Sequence, residues 1–223
     1  MDQTTLALYI HELRNQCIYT EAAFRVFNQS LEQRIPAGVF YGTQSTLLAA
    51  SQIAAILWPN RARAKKRGES LREALNLAEK HPLNDKRLIA LWEHGDEKFE
   101  DWIGETKGQQ IVFDHLGPIQ PFLDNGINDG NIFRMYDPTT QIFYFRGDGY
   151  KMQAIADAIS DIYTRVTQLH MRMFPEQHQP ADGAQGNAAP ADIGSATPGG
   201  DAAKEEAKED KPKKAATKKT AKK

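Results

Sequence analysis

Pro82-Leu83-Asn84-Asp85-Lys86-Arg87-Leu88-Ile89-Ala90-Leu91-Trp92-Glu93-His94-Gly95-Asp96-Glu97-Lys98-Phe99-Glu100-Asp101-Trp102 is the stretch that decides how this chain is read. Taken as one helix advancing about 100° per residue, it sets Leu88, Trp92, Gly95, Phe99 and Trp102 within about 40° of one another, in a single apolar stripe. The stripe predicts a buried face with Trp92 and Phe99 in the core. Arg87, His94 and Asp101 are spaced by seven and line one edge of it, where a side chain lies half in the fold and half in water. That edge is a plausible cleft wall, and Glu93, Asp96 and Glu97 stand beside it.

On the N-terminal side, Leu6, Ile10, Leu13, Cys17, Thr20, Phe24, Phe27 and Leu31 alternate steps of four and three, the seam of one long helix that Pro36 and Gly38 end. A second seam runs Phe40, Thr43, Leu47, Ala50, Ala54, Leu57 up to Trp58-Pro59, and its small residues let the first helix come close, so the two predict an antiparallel hairpin. The segment from Asn60 to Gly68 reads as a helix end and loop, and Ser70 as the start of a short helix through Lys80. On the C-terminal side, prolines and glycines spoil any helical period from Gln109 to Gly130, leaving a loop with a short extended piece at Ile111–Phe113. Asn131–Tyr136 and Gln141–Phe145, joined by Asp137-Pro138-Thr139-Thr140, predict a β-hairpin over 131–145 that Gly147-Asp148-Gly149 ends. The seam Met152, Ile155, Ile159, Ile162, Val166, Leu169 and Met173 predicts a last helix stopping at Pro175.

The expected fold class is therefore mainly α: an antiparallel helical bundle over 1–176 with one β-hairpin before the last helix, and a disordered tail over 177–223. With 223 residues, 40% of them hydrophobic, the chain is long enough to bury such a core. The tail is Ala, Gly, Pro, Gln and Asp without aromatics, a composition that buries too little apolar surface to offset its ordering entropy. The net charge of −1 hides an asymmetry: nine lysines and four acids between Lys204 and Lys223 give that end +5 and leave −6 on the rest. The most apolar run, Thr46 to Pro59, is too short and too interrupted to span a bilayer, and no secretory leader is visible, so the expectation is a soluble, cytoplasmic protein. The one cysteine, Cys17, falls in a helical seam and reads as a buried thiol rather than a nucleophile.

Two seamed helices, an arginine-bearing loop, a short helix and then Pro-Leu-x-Asp-x-Arg-Leu-x-x-x-x-Glu-His-x-Asp-Glu-x-x-x-x-Trp resemble bacterial HEPN-like helical proteins. The resemblance rests on Glu93-His94-Gly95-Asp96-Glu97, with support from Leu83, Arg87 and Trp102. It implies a HEPN-like bundle and a metal-independent ribonuclease site in which an arginine and a histidine a few residues later act together, often across a dimer. The chain departs from the commoner motif, which has Arg-Asn where Ile89 and Ala90 stand, although Arg87 precedes His94 with six residues between. In that role His94 would be the general acid or base, assisted by Glu93, and Arg87 would stabilise charge on a phosphate.

Other readings stay open beside it. His94 satisfied by Asp101 or a carbonyl would make the helix an ordinary solvated face, and the carboxylates Glu93, Asp96, Glu97 and Asp101 would repel a polyanion. A metal held by Glu93, His94 and Asp114 or His115 has unspecific spacing, so no metal or cofactor is expected. His11, His81, His170 and His178 are scattered and read as surface or helix-edge residues. The basic run Arg61, Arg63, Lys65, Lys66 and Arg67 reads as a solvated linker or a phosphate contact, and Lys213, Lys214, Lys218, Lys219, Lys222 and Lys223 as a sequence-independent tether to RNA or DNA. Exposed seams and a hairpin marginal by itself point to a homodimer. The functions left standing are a catalytically degenerate nucleic-acid-associated module, a ribonuclease of a defence or toxin–antitoxin system, and a non-catalytic scaffold that binds a partner protein.

Overall fold

The structure is a computed structural model that describes residues 1–175. Helix α1 spans Gln3–Glu32; the Asp2 carboxylate caps it, accepting from the Thr5 N–H at 2.9 Å. Arg34, at φ 55°, turns the chain, and Pro36 opens helix α2, Pro36–Leu57. The predicted seams are the buried ones: Ile10, Leu13, Cys17, Phe24 and Phe27 of α1 face Phe40, Thr43, Leu47, Ala50, Ala54 and Leu57 of α2. Small residues allow that approach. A Cβ placed on Gly42 would lie 2.7 Å from the Phe27 Cα, so at this crossing the two backbones nearly touch.

The basic segment is more ordered than a loop. After a single 3-10 turn at Ala62–Ala64, helix α3 runs Lys65–Ala74, beginning before Ser70 and stopping short of Lys80. Arg67 and Arg72 cause this by reaching back to the end of α2, where Arg67 donates to the Ala55 and Ile56 carbonyls and Arg72 to that of Leu57. These are the orphan carbonyls that every helix C-terminus must satisfy.

The stretch read as one helix is two. Helix α4 is a single turn, Lys86–Ile89, and helix α5 is Gly95–Thr106, with His94 at φ 51° between them. The physical reason lies far away in sequence. Arg146 donates to the Leu91 and Gly95 carbonyls at 2.7 and 3.2 Å, and the Lys98 ammonium donates to Ala90, so acceptors that a continuous helix would use are taken by side chains. The stripe holds in part: Leu88 and Trp102 are buried, Trp92 and Phe99 pack half-buried against the edge of the core, and Gly95 is exposed.

The predicted hairpin is the centre of a larger sheet. Strands β2 (Ile132–Asp137) and β3 (Ile142–Phe145) match it within a residue. Two further strands flank them, giving the order β1-β2-β3-β4 with β1 (Val112–Leu116) parallel to β2 and the rest antiparallel. Gly147 does not end the sheet. Arg146 and Gly147, both at positive φ, form a two-residue turn into β4 (Asp148–Lys151), which runs directly into helix α7 (Met152–Met173). A short helix α6 (Gln120–Asp124) lies between β1 and β2. One face of the sheet joins the bundle core through Phe133, Tyr136, Phe143 and Tyr150, with the Phe27 and Tyr136 rings 5.0 Å apart edge to face. The other face makes a small core of Val112, Ile132, Met135 and Tyr144 with Ile119. Helix α7 packs along α1. No helix among the described residues is long and apolar enough to cross a membrane.

Asp137 closes the β2–β3 turn. Its carboxylate accepts from the N–H groups of Ile119, Thr139 and Thr140 at 3.2, 2.8 and 3.4 Å. Burial alone would push this carboxyl up, but those three donors outweigh it and hold it below the ordinary carboxylate value. A carboxyl depressed in the folded state adds stability that is complete above the unfolded value and is lost as pH falls through the folded one. Asp137→Asn should therefore cost about 1 kcal/mol at neutral pH and progressively less in acid. Melting temperatures of both proteins between neutral and acidic pH would show the two curves converging; a constant gap would contradict the assignment.

Candidate functional site

Arg87 is fixed from both sides. Asp85 caps α4 by accepting from the Arg87 N–H at 2.8 Å, and the same carboxylate meets the guanidinium at 2.8 Å through Nη2. From β4, Asp148 Oδ1 takes Nη1 at 3.2 Å, and the guanidinium sits 6.0 Å over the Tyr150 ring. Hydrogen bonding to Asp85 raises the Arg87 pKa further still. This places Arg87 on a cleft of about 430 Å³ between α4, α5 and the β3–β4 turn, lined also by Lys86, Lys98, Trp102, Arg146 and Tyr150.

Among the described residues each cation of the cleft already has an acceptor or a counter-ion, except Lys86: Arg87 has two carboxylates, and Arg146 and Lys98 have the carbonyls of the 90–95 turn. The arginine that a phosphate would need is therefore a tie between α4 and β4. The Tyr150 hydroxyl, buried beside it, has no hydrogen-bond partner among the described residues, and burial pushes its pKa up.

His94 is not part of this cleft. It occupies the left-handed position before α5, 70% exposed, with Nδ1 3.5 Å from Glu97 Oε2. Asp101, its expected partner, lies on the cleft instead. Glu93, Asp96, Glu97, Glu100, Asp101 and Glu105 are all exposed on or next to α5, so the histidine stands on an acidic surface. The seven-residue spacing brings Arg87 and His94 to one edge only on an unbroken helix, and the turn at 90–94 removes that alignment.

Of the basic run, Arg61, Arg63, Lys65 and Lys66 are exposed, while Arg67 is half-buried with its guanidinium 5.4 Å over the Tyr9 ring. Arg67 thus belongs to the scaffold rather than to a binding surface. Lys213, Lys214, Lys218, Lys219, Lys222 and Lys223, like His178, lie outside the described residues.

The remaining candidates resolve individually. Asp114 pairs with Arg134 at 2.8 Å, and the His115 ring meets Phe122 edge to face. Among the described residues no group of three or more His, Cys, Asp or Glu is placed to hold a metal. Cys17 is buried, and burial pushes its thiol up to about 12, far from a thiolate nucleophile.

Of the histidines read as surface or helix-edge residues, His170 is buried and His81 half-buried. His170 is 1% exposed and lies 3.4 Å from the His11 ring nitrogen, because α7 brings its last turn onto the start of α1. His81 stacks on Trp58 at 4.9 Å, and burial lowers its pKa.

Arg146, Asp148 and Tyr150 were missed as cleft residues because their turn and strand look like a strand terminator in one dimension. Comparison with family models, with curated proteins and with solved structures found no match for this chain.

Proposed function

We propose that this chain is a catalytically degenerate, HEPN-like helical module that associates with nucleic acid without cleaving it. The observation that carries this reading is the division of the two candidate catalytic residues. Arg87 is committed to Asp85 and Asp148 in the cleft, and His94 faces Glu97 outside it. A phosphodiester approaching His94 meets several exposed carboxylates and no uncommitted cation on that turn.

Association is supported at another place. Arg61, Arg63, Lys65 and Lys66 project together around the start of α3 with no acid between Asn60 and Gly68, and no ion-pair partner for any of them occurs among the described residues. Exposed cations of this kind bind phosphates by releasing counterions, without regard to base sequence, and the lysine-rich end of the chain adds the same chemistry.

The test is the salt dependence of binding, read by fluorescence anisotropy of a labelled single-stranded RNA and of a duplex DNA with the full chain. Replacing Arg61, Arg63, Lys65 and Lys66 together by alanine should reduce the slope of log K against log salt by up to about 3 for the single strand. Binding that keeps its slope in the quadruple variant would remove this turn from the interface. No binding to either probe at low salt would refute the association altogether.

A further inference from the structure

We infer that the outer face of the α1–α2 hairpin is a two-fold interface and that its occupant is a second copy of this chain. Helix α2 has no Asp, Glu, Lys or Arg in any of its 22 residues; 12 of them are buried against α1, α3, α4, β2 and α7, and one outer stripe is left open. A surface helix normally turns a charged or polar face to water. The outer stripe of α2, Tyr41, Ser45, Leu48 and Gln52, instead stands beside Tyr19, Ala22, Ala23 and Val26 of α1 along an open groove of about 570 Å³. Tyr19, Tyr41 and Leu48 are 57%, 63% and 47% exposed there.

The groove is self-complementary. It alternates large side chains with a floor of Ala22, Ala23, Ser45 and Ala49, and its lining contains no ionisable acid or base other than the two tyrosines. A two-fold axis crossing α1 beside Ala22 and α2 between Ser45 and Leu48 runs each helix antiparallel to its own copy. That operation sets Tyr19 against Ala23 of the partner subunit, Leu48 against Ser45 of the partner subunit, and Tyr41 against Gln52 of the partner subunit. Every bulky group then meets a small or amide-bearing one, and no charged side chain lines the groove itself; Glu12, one turn further along α1 and hydrogen-bonded to Gln16, stands at its rim.

A face as long as α2, about 33 Å, and two helices or about 20 Å wide covers on the order of 700 Å² per copy. This approaches the roughly 800 Å² per partner of a standard stable interface. An acidic or basic partner would find no counter-charge in this groove, which is why the second copy fits it and a charged segment does not.

The experiment is sedimentation velocity of the full chain over a range of concentrations, with Leu48→Glu and, as a control on an equally exposed apolar residue elsewhere, Ile103→Glu. The expected result is a dimer that Leu48→Glu weakens by at least about 100-fold, since it buries two glutamates across the axis. Ile103→Glu should leave the dimer intact, and an unchanged far-ultraviolet spectrum and melting of diluted protein should show that both variants fold. A chain that stays monomeric at the highest concentration would overturn the inference. So would a dimer indifferent to folded Leu48→Glu, or a monomer that instead captures a different protein on this groove.

Discussion

Trp102→Ala is expected to cost about 3 to 5 kcal/mol, the range for removing a large buried aromatic. The indole is 5% exposed, and its Nε1 donates to the Gly130 carbonyl at 2.8 Å. Its ring lies 5.0 Å from Phe133 and 6.2 Å from Phe99, so one side chain joins α5 to β2 and to the turn before it. Truncation opens a cavity at a three-way junction and removes the hydrogen bond to the Gly130 carbonyl. Urea unfolding measures this directly. Trp92→Ala, at the rim of the same core, should cost only about 1 to 2 kcal/mol because part of its surface already faces water. Equal losses for the two would mean that the turn before α5 buries Trp92 as deeply as α5 buries Trp102, against its half-buried position.

Gly42→Ala is expected to destabilise by about 2 to 3 kcal/mol, against the direction that helix propensity gives. In an exposed helix the same change stabilises by roughly 1 kcal/mol. Here the new methyl would sit 2.7 Å from the Cα, Cβ and backbone nitrogen of Phe27, none of which can rotate away. The two helices would have to part, and overpacking of this kind outweighs the propensity gain. A thermal melt decides the sign. Gly104→Ala, in α5 with open space around its Cβ position, is the control and should hold or raise stability. A Gly42→Ala protein as stable as the parent would show that α1 and α2 are not in backbone contact at that point.

The parts of the fold that sequence discloses are those set by neighbours a few residues apart. The seams of α1, α2 and α7 follow from local periodicity and the two strands of the hairpin from their β-branched and aromatic residues; each element is found, with most of each helical seam buried and the strands covered on both faces. What escapes is decided across long separations. The break between Ala90 and His94 depends on Arg146, more than 50 residues away, and the early start of α3 on carbonyls at the end of α2. Strand β1 pairs with β2 only after a connection containing α6, and β4 depends on two positive-φ residues in succession that a glycine-rich string does not distinguish from a stop.

The candidate site was legible as a list of residues but not as an arrangement. Arg87, His94 and Asp101 share one edge only while the helix between them is continuous. Once it breaks, Arg87 turns to Asp148 and His94 to the surface, and the residues that complete the cleft come from β4 and the turn before it. The uncharged outer face of α2 was legible as well. Its significance depends on knowing which side of the helix the core leaves open.

The central claim, that Arg87 and His94 do not form a working phosphodiesterase site, is tested most directly by incubating the purified full chain with single-stranded RNA in the presence of a metal chelator. The account predicts no cleavage above the rate in buffer, with His94→Ala indistinguishable from the parent protein. It also predicts that Arg87→Ala lowers thermal stability while leaving that null activity unchanged, because its guanidinium ties α4 to β4. Robust metal-independent cleavage that falls by about a hundredfold or more in a folded His94→Ala protein, the usual scale for a lost acid–base group, would contradict it.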